Sequence, residues 1–306
     1  MRPLPPETVY LPFEAGPYRM ALGLTAATDA DWFEFDALYP TEMAERRRLL
    51  ADHHPEVFAT LPVSDAARAE ALTRVAANLA AHHPTWFTRS GDRLTNHLTG
   101  EAWNLADPGQ DPLELAGRLV QEDLCIIQVP DETPIFTAAV LCFPSRWRLG
   151  EKIGKPLANV HGPVPVYADR LEKPVDRFMR HLKDGHIAAR LNWSVLDDPT
   201  LFQPTGKWRE GANTAITAAN AGQSLYLRVE RQSLRRLPDS GAVLFGIRVH
   251  CYRLDAVIST PALAARLAGA ARALPDSIVH YKSLRPIRDA LLGWLDQRAG
   301  EMTPAD

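Results

Sequence analysis

The sequence predicts an α+β protein in which a five-stranded antiparallel sheet is preceded and followed by helical regions. Three observations carry this expectation. Short apolar, β-branched runs are concentrated between residues 123 and 254, turn signals, PDETP between the first pair and PDSG between the last, separate them, and the segments on either side show helical rather than alternating spacing.

The first 110 residues read as helices and irregular connections punctuated by prolines. Ser64 to His83 opens on an N-cap serine and repeats Ala67, Ala71, Leu72, Val75 and Leu79 at helical spacing, which predicts the clearest helix of the chain. A second helix is expected over Leu113 to Gln121, leading into DLCIIQV as the first sheet strand. PDETP then turns the chain into IFTAAVLCFP, a hairpin partner. Ser145 to Leu182 has no alternation and reads as a helical crossing, with Arg170 to Leu182 its longest piece. Three strand-like runs follow, HIAARLNWSVL, SLYLRVERQSL and AVLFGIRVHCYRL, the last two joined by the turn RRLPDSG. The order strand, strand, helices, strand, strand, strand is the PAS-like arrangement, in which central helices cover one sheet face and enclose a pocket. Pro261 to Ala299 reads as two amphipathic helices, carrying Leu263, Leu267 and Leu274 in one and Ile287, Leu291, Leu292 and Leu295 in the other. The expected organisation is an N-terminal, mostly helical region (1–117), a PAS-like domain (118–256) and a C-terminal helical extension (257–306).

Composition narrows the functions. With 306 residues and 46% hydrophobic content the chain can bury a substantial core. Its 34 basic and 37 acidic residues, net charge −3, create no field for nucleic acid or anionic lipid. No signal-peptide pattern opens the chain and nowhere do 18 apolar residues run together, so no membrane association is expected and the cytoplasm is the expected location. Cys125, Cys142 and Cys251 are odd in number and form no CxxC pair, which suggests neither a disulfide framework nor a zinc site. No GxGxxG, P-loop or four-cysteine cluster is present.

Most of the ten histidines have ordinary explanations. His53, His54, His82 and His83 end helices before a proline, a capping position facing solvent. His181 is expected to face water, His186 opens a strand, and His250 reaches a pocket only if its face of the last strand is the inner one. His161 differs: IGKPLANVHGPVPVY places it after an apolar turn and before Gly162 and Pro163, where a helix cannot continue. Such a fixed imidazole suits an axial metal ligand as well as it suits a hydrogen-bonded loop residue. FPSRWRLGEKIGK crowds Arg146, Arg148, Lys152 and Lys155 beside Phe143, Trp147 and Ile153, a mixture fitting either a solvated helix or the edge of an anionic, flat ligand. Arg190 and Asn192 share one strand face in ARLNWSV, and Arg228, Glu230 and Gln232 share another in RVERQSLRR, where interstrand ion pairing is the ordinary reading.

Four stretches together, QEDLCII, LCFPSRWRLGEKIGKPLANVHGPVPVY, RLNWSV and LRVERQSLRRLPDSGAVLFGIR, resemble the haem-dependent oxidative N-demethylase alpha subunit family over most of residues 118–255. The resemblance implies a PAS-type domain holding haem b and removing methyl groups from small secondary amines such as dimethylamine with O2, releasing formaldehyde. It implies electrons from a flavin-containing, NADPH-dependent reductase or ferredoxin-like partner, and an association with tetrahydrofolate. Carried onto this sequence, it makes His161 the iron ligand and Arg146, Arg148, Lys155, Tyr167 and Trp193 cofactor-binding residues. Glu122, Arg190 and Asn192 are the candidates for catalytic groups that orient an amine or deliver protons. A haem-based gas or redox sensor and a non-catalytic subunit of an oxidase complex remain the alternatives.

Overall fold

The computed structural model describes residues 3–300; the ends of the expected terminal regions, residues 1–2 and 301–306, lie outside them. The described chain is α+β, with no helix long and apolar enough to cross a membrane. Its strands are β1 (Thr25–Ala27), β2 (Phe58–Thr60), β3 (Phe87–Ser90), β4 (Arg93–Asn96), β5 (Ala102–Asn104), β6 (Asp123–Gln128), β7 (Ile135–Val140), β8 (Ile187–Leu196), β9 (Tyr226–Arg236) and β10 (Val243–Arg253).

The five expected strands are β6 to β10, and they stand side by side. They belong to a seven-stranded antiparallel sheet of order β1-β8-β9-β10-β6-β7-β2. The two additional edge strands come from the N-terminal third, where β1 and β2, each three residues long, pair with β8 and β7. Strands this short have no readable alternation, so only the edges they cap reveal them. A separate three-stranded sheet, β3-β4-β5, was equally invisible among the prolines.

Helix Asp65–His82 forms where the spacing predicts it and buries Ala67, Ala71, Leu72, Val75 and Leu79. Ser64 sits at its N-cap position but makes no capping bond; its hydroxyl donates to the Leu61 carbonyl instead. The helix expected over Leu113 to Gln121 is Pro112–Gly117, capped by the Asp111 carboxylate accepting from Leu113 N–H at 2.8 Å. Its last residue, Gly117, lies against β7, where a Cβ would meet Val140 Cγ1 at 2.4 Å. The crossing between β7 and β8 carries helices Leu157–Val160, Tyr167–Arg170 and Glu172–His181.

One sheet face carries Cys125, Ile127, Arg190, Asn192, Glu230, Gln232, Leu234, Phe245 and Ile247, a set fixed by the register Arg190↔Gln232↔Ile247 and Leu234↔Phe245↔Cys125. Val175 and Met179 of helix Glu172–His181 pack over it with Leu157 and Tyr167. The opposite face meets the N-terminal region through buried ion pairs: Arg248 with Asp36 at 2.7 Å and Glu42 at 2.8 Å. At the sheet's β6 end Arg46 pairs with Asp123 at 2.9 Å, both almost fully buried. Helices Pro261–Ala273 and Arg288–Gly300 bury Leu267, Leu291 and Leu295, and the residues flanking them bury Leu274 and Ile287, in a cluster with Val195, Leu227 and Val229, while Leu263 and Leu292 are half-buried at its margin. A short helix, Asp276–Tyr281, intervenes.

Candidate functional site

The cation-bearing sheet face and its covering helices enclose a cavity of about 650 Å³, the size of a cofactor or drug-sized ligand site. Its lining comes from the sheet and crossing helices and is completed by residues 12–24 and 270–283, from both flanking regions.

His161 lies on this cavity. Helix Leu157–Val160 ends at it, and its Nδ1 donates to the Leu157 carbonyl at 2.9 Å. A carbonyl only accepts, so Nδ1 carries the proton and Nε2 keeps its lone pair. Burial, with Lys152 and Arg190 acting in the same sense, pulls the imidazole pKa down to about 4. The ring therefore stays neutral across the physiological range. Tyr167 stacks on it, centroids 4.6 Å apart and planes 15° off parallel.

Arg190 projects from β8 into the same space. Burial lowers its pKa while Glu230 opposes that loss, and its Nε is buried without a hydrogen-bond partner among the described residues. The Tyr167 hydroxyl and Arg146 Nη1 are likewise buried and unpartnered. Three orphaned donors on one cavity are costly unless a ligand meets them. Asn192, also on β8, donates to Glu230 Oε2 at 3.4 Å and accepts from Lys282 Nζ at 3.3 Å. Glu230 accepts further from Ser145 Oγ at 2.7 Å and from Gln232 Nε2 at 2.9 Å. These partners are neutral groups, and among the described residues β9 makes no ion pair with a neighbouring strand: Arg231 pairs with Glu34 and Arg235 with Asp29 instead. Burial brings the Lys282 ammonium down to about 8, partly offset by Glu230, and Lys207, whose Nζ sits 4.1 Å over the Tyr281 ring, also to about 8.

The structure thus brings His161, Tyr167, Arg146, Arg190, Asn192 and Trp193 to one cavity. Arg146 lines it with divided allegiance: its Nη2 is bound by Asp197 at 2.7 Å and its Nε by Gln203 at 3.3 Å. Three sequence candidates do not line it. Arg148 and Lys155 are exposed, whereas Leu149 is buried and Lys152, from the same cluster, does line the cavity. Glu122 is fully buried on the opposite face, where Glu34 N–H donates to its Oε1 at 3.0 Å. The residue precedes β6, and its parity sets it away from Cys125 and Ile127.

Lys207, Tyr281, Lys282 and Tyr18 line the cavity and were not singled out by sequence. They come from loops and short helices remote from the sheet motifs, and only the Tyr-Lys pair at 281–282 hints at them. Cys125 lines the cavity too, but burial pushes its thiol well above its ordinary 9.0, so no thiolate is available. His181 is exposed as expected, and His186, also exposed, stands immediately before β8. His83 departs from its solvent-facing capping role: it packs against Phe35 and Trp86, and burial lowers its pKa to about 4.

His250 faces away from the cavity. Its ligand atoms gather with those of Glu7 and Asp36 within 4.8 Å, yet both ring nitrogens are taken, by Glu7 at 3.2 Å and Glu34 at 3.1 Å. Burial opposes its charge, but these carboxylates outweigh that and raise its pKa. With Arg248 holding Asp36, this is a closed charge network and not an open coordination site.

Residues 23–292, most of the chain, match the family model described as haem-dependent oxidative N-demethylase, alpha subunit-like.

Proposed function

The chain belongs to the haem-dependent oxidative N-demethylase alpha subunit-like family, and on that footing we propose that it is a haem b oxygenase that demethylates a small secondary amine such as dimethylamine. The observation that carries this reading is His161, a neutral imidazole whose Nδ1 is tied to a backbone carbonyl and whose Nε2 is left for a ligand on a 650 Å³ cavity. The residues present fit a haem: one presented imidazole, apolar walls from Ile127, Leu157, Leu234 and Phe245, and unpartnered Arg190 and Tyr167 donors for its carboxylates. The contiguous five strands, with helices covering one face above the cavity, support a PAS-like reading of residues 118–256, with residues 12–24 and 270–283 of the two flanking regions completing the wall.

Haem, when bound, supplies an iron that uses O2, two electrons and two protons to convert an N-methyl group into N–H, formaldehyde and water. The chain's own residues prepare the site. Leu157 O fixes the His161 tautomer and ring orientation. Arg190 and Arg146 Nη1 offer charge-assisted hydrogen bonds to carboxylates. Asn192, Glu230 and Lys282 form a connected polar chain that can hold an amine and pass protons, while the apolar wall excludes bulk water. Electrons come from a flavin-containing, NADPH-dependent reductase or a ferredoxin-like subunit in the same cytoplasmic assembly, and tetrahydrofolate is the acceptor we assign to the formaldehyde.

The test is to purify the chain from haem-replete cells, record its spectrum and supply dimethylamine, O2 and reductant. A Soret band with formaldehyde and methylamine in equal amounts is expected. A folded, colourless protein overturns the haem reading; a haem protein that makes no formaldehyde from any small methylated amine is a sensor or an accessory subunit.

A further inference from the structure

A second concavity lies outside the site just described. It is an open groove of about 900 Å³ between β1, the start of β8 and helix Glu172–His181. Three cationic side chains line it, Lys173, Arg177 and Lys183, together with His181 and His186, and no acidic one does. All five are exposed. Glu172, Asp176 and Asp184 belong to the same stretch of chain, but none lines the groove. Among the described residues Lys173, Arg177 and Lys183 make no ion pair, whereas their neighbour Arg180, outside the groove, is paired with Glu132. The floor is apolar, with Leu182 and Ile187 buried in it. An apolar centre ringed by charge of one sign is the make-up of a protein docking surface for a partner of the opposite sign.

The groove and the His161 cavity share a wall. Leu24 and Phe178 line both, so a protein seated in the groove stands one layer of side chains from whatever occupies the cavity. We propose that the groove is the docking site of an acidic one-electron carrier protein that reduces the bound cofactor through the Leu24–Phe178 wall. The proposal rests on the haem reading of the cavity and deepens it by naming the face at which electrons enter. In each encounter the carrier is oxidised by one electron and the cofactor iron is reduced by one; no covalent bond forms or breaks. Two encounters supply one turnover.

The experiment uses the full haem-loaded chain, an acidic [2Fe–2S] ferredoxin as the probe, and the double variant Lys173→Glu/Arg177→Glu, whose substitutions are at exposed helix positions. Stopped-flow reduction by the ferredoxin is expected to slow by about tenfold or more in the variant and to lose most of its salt sensitivity. Reduction by dithionite and the Soret spectrum are expected to stay unchanged, which separates a docking defect from a damaged site. Binding of the oxidised ferredoxin is measured in parallel on chain with and without haem, so the groove is tested even if the chain takes up no haem. Salt-sensitive binding that the variant loses supports the proposal. Wild-type chain that does not bind the ferredoxin, a variant reduced as fast as wild type, or a groove that takes up tripolyphosphate but no ferredoxin overturns it. A missing Soret band sinks the haem reading separately.

Discussion

Glu122→Gln isolates the cost of a buried carboxyl that the sequence suggested for catalysis and the structure places behind the sheet. Glu122 is fully buried; one oxygen accepts from Glu34 N–H and the other has no partner among the described residues. Burial is the largest influence on it, opposed by the Glu34 N–H and Arg248, and lifts its pKa from an ordinary 4.5 to about 7. An acid whose folded pKa is raised stabilises the fold in its protonated form: the contribution is complete below the unfolded value and is lost as pH rises through 7. That interval corresponds to about 3 kcal/mol lost at alkaline pH. Glutamine keeps the acceptor for Glu34 N–H and cannot ionise. The stability gap, variant minus wild type, should therefore widen in favour of Gln by about 2 kcal/mol between pH 5 and pH 8. Titration of Glu34 and His250 is common to both proteins and cancels to first order. Urea unfolding followed by tryptophan fluorescence at several pH values measures the gap. A gap flat with pH, or one widening on acidification, refutes the account. Loss of haem binding in this variant would return Glu122 to the cofactor site.

Three further outcomes follow from the geometry. His161→Ala should abolish or shift the Soret band, recover it with added imidazole, and cost only about 1 kcal/mol in stability, since it removes one hydrogen bond and a ring stack; because the wild-type imidazole stays neutral down to about pH 4, its ligation should persist in spectra recorded at pH 5 to 8. Arg190→Leu should lower haem content measured by pyridine haemochrome, whereas Arg148→Glu, at an exposed position, should leave it unchanged; equal losses would restore Arg148 to the site. Gly222→Ala should destabilise the fold by about 1–3 kcal/mol in thermal melts, because its Cβ would lie 2.6 Å from the Trp294 ring that packs helix Arg288–Gly300 onto the domain; an unchanged Tm would show that this helix moves aside freely.

Local chemistry was enough for much of this protein. Alternation and β-branching located β6 to β10, because strands of six to eleven residues repeat their pattern often enough to read. Helical spacing located Asp65–His82, and the Gly-Pro stop after His161 marked that imidazole as one presented by a loop. Parity put Arg190 and Asn192 on one face. What sequence could not decide was which way each candidate faces once the sheet is covered on both sides. Glu122, Arg148 and Lys155 are chemically equivalent to groups that do line the cavity; strand parity turns Glu122 to the other face, and Arg148 and Lys155 end at the surface while Lys152 beside them turns in. Lys207 reaches the cavity from 11 residues beyond the end of β8, and Tyr281 and Lys282 from 28 and 29 residues beyond the end of β10, with no local pattern to announce it. The edge strands β1 and β2 exist only because β8 and β7 offer unpaired backbone to them. Periodicity is a property of neighbours along the chain and is written in the sequence; burial, the loss of a proton or the orphaning of a donor depends on partners far apart in it, and only the tertiary structure decides those.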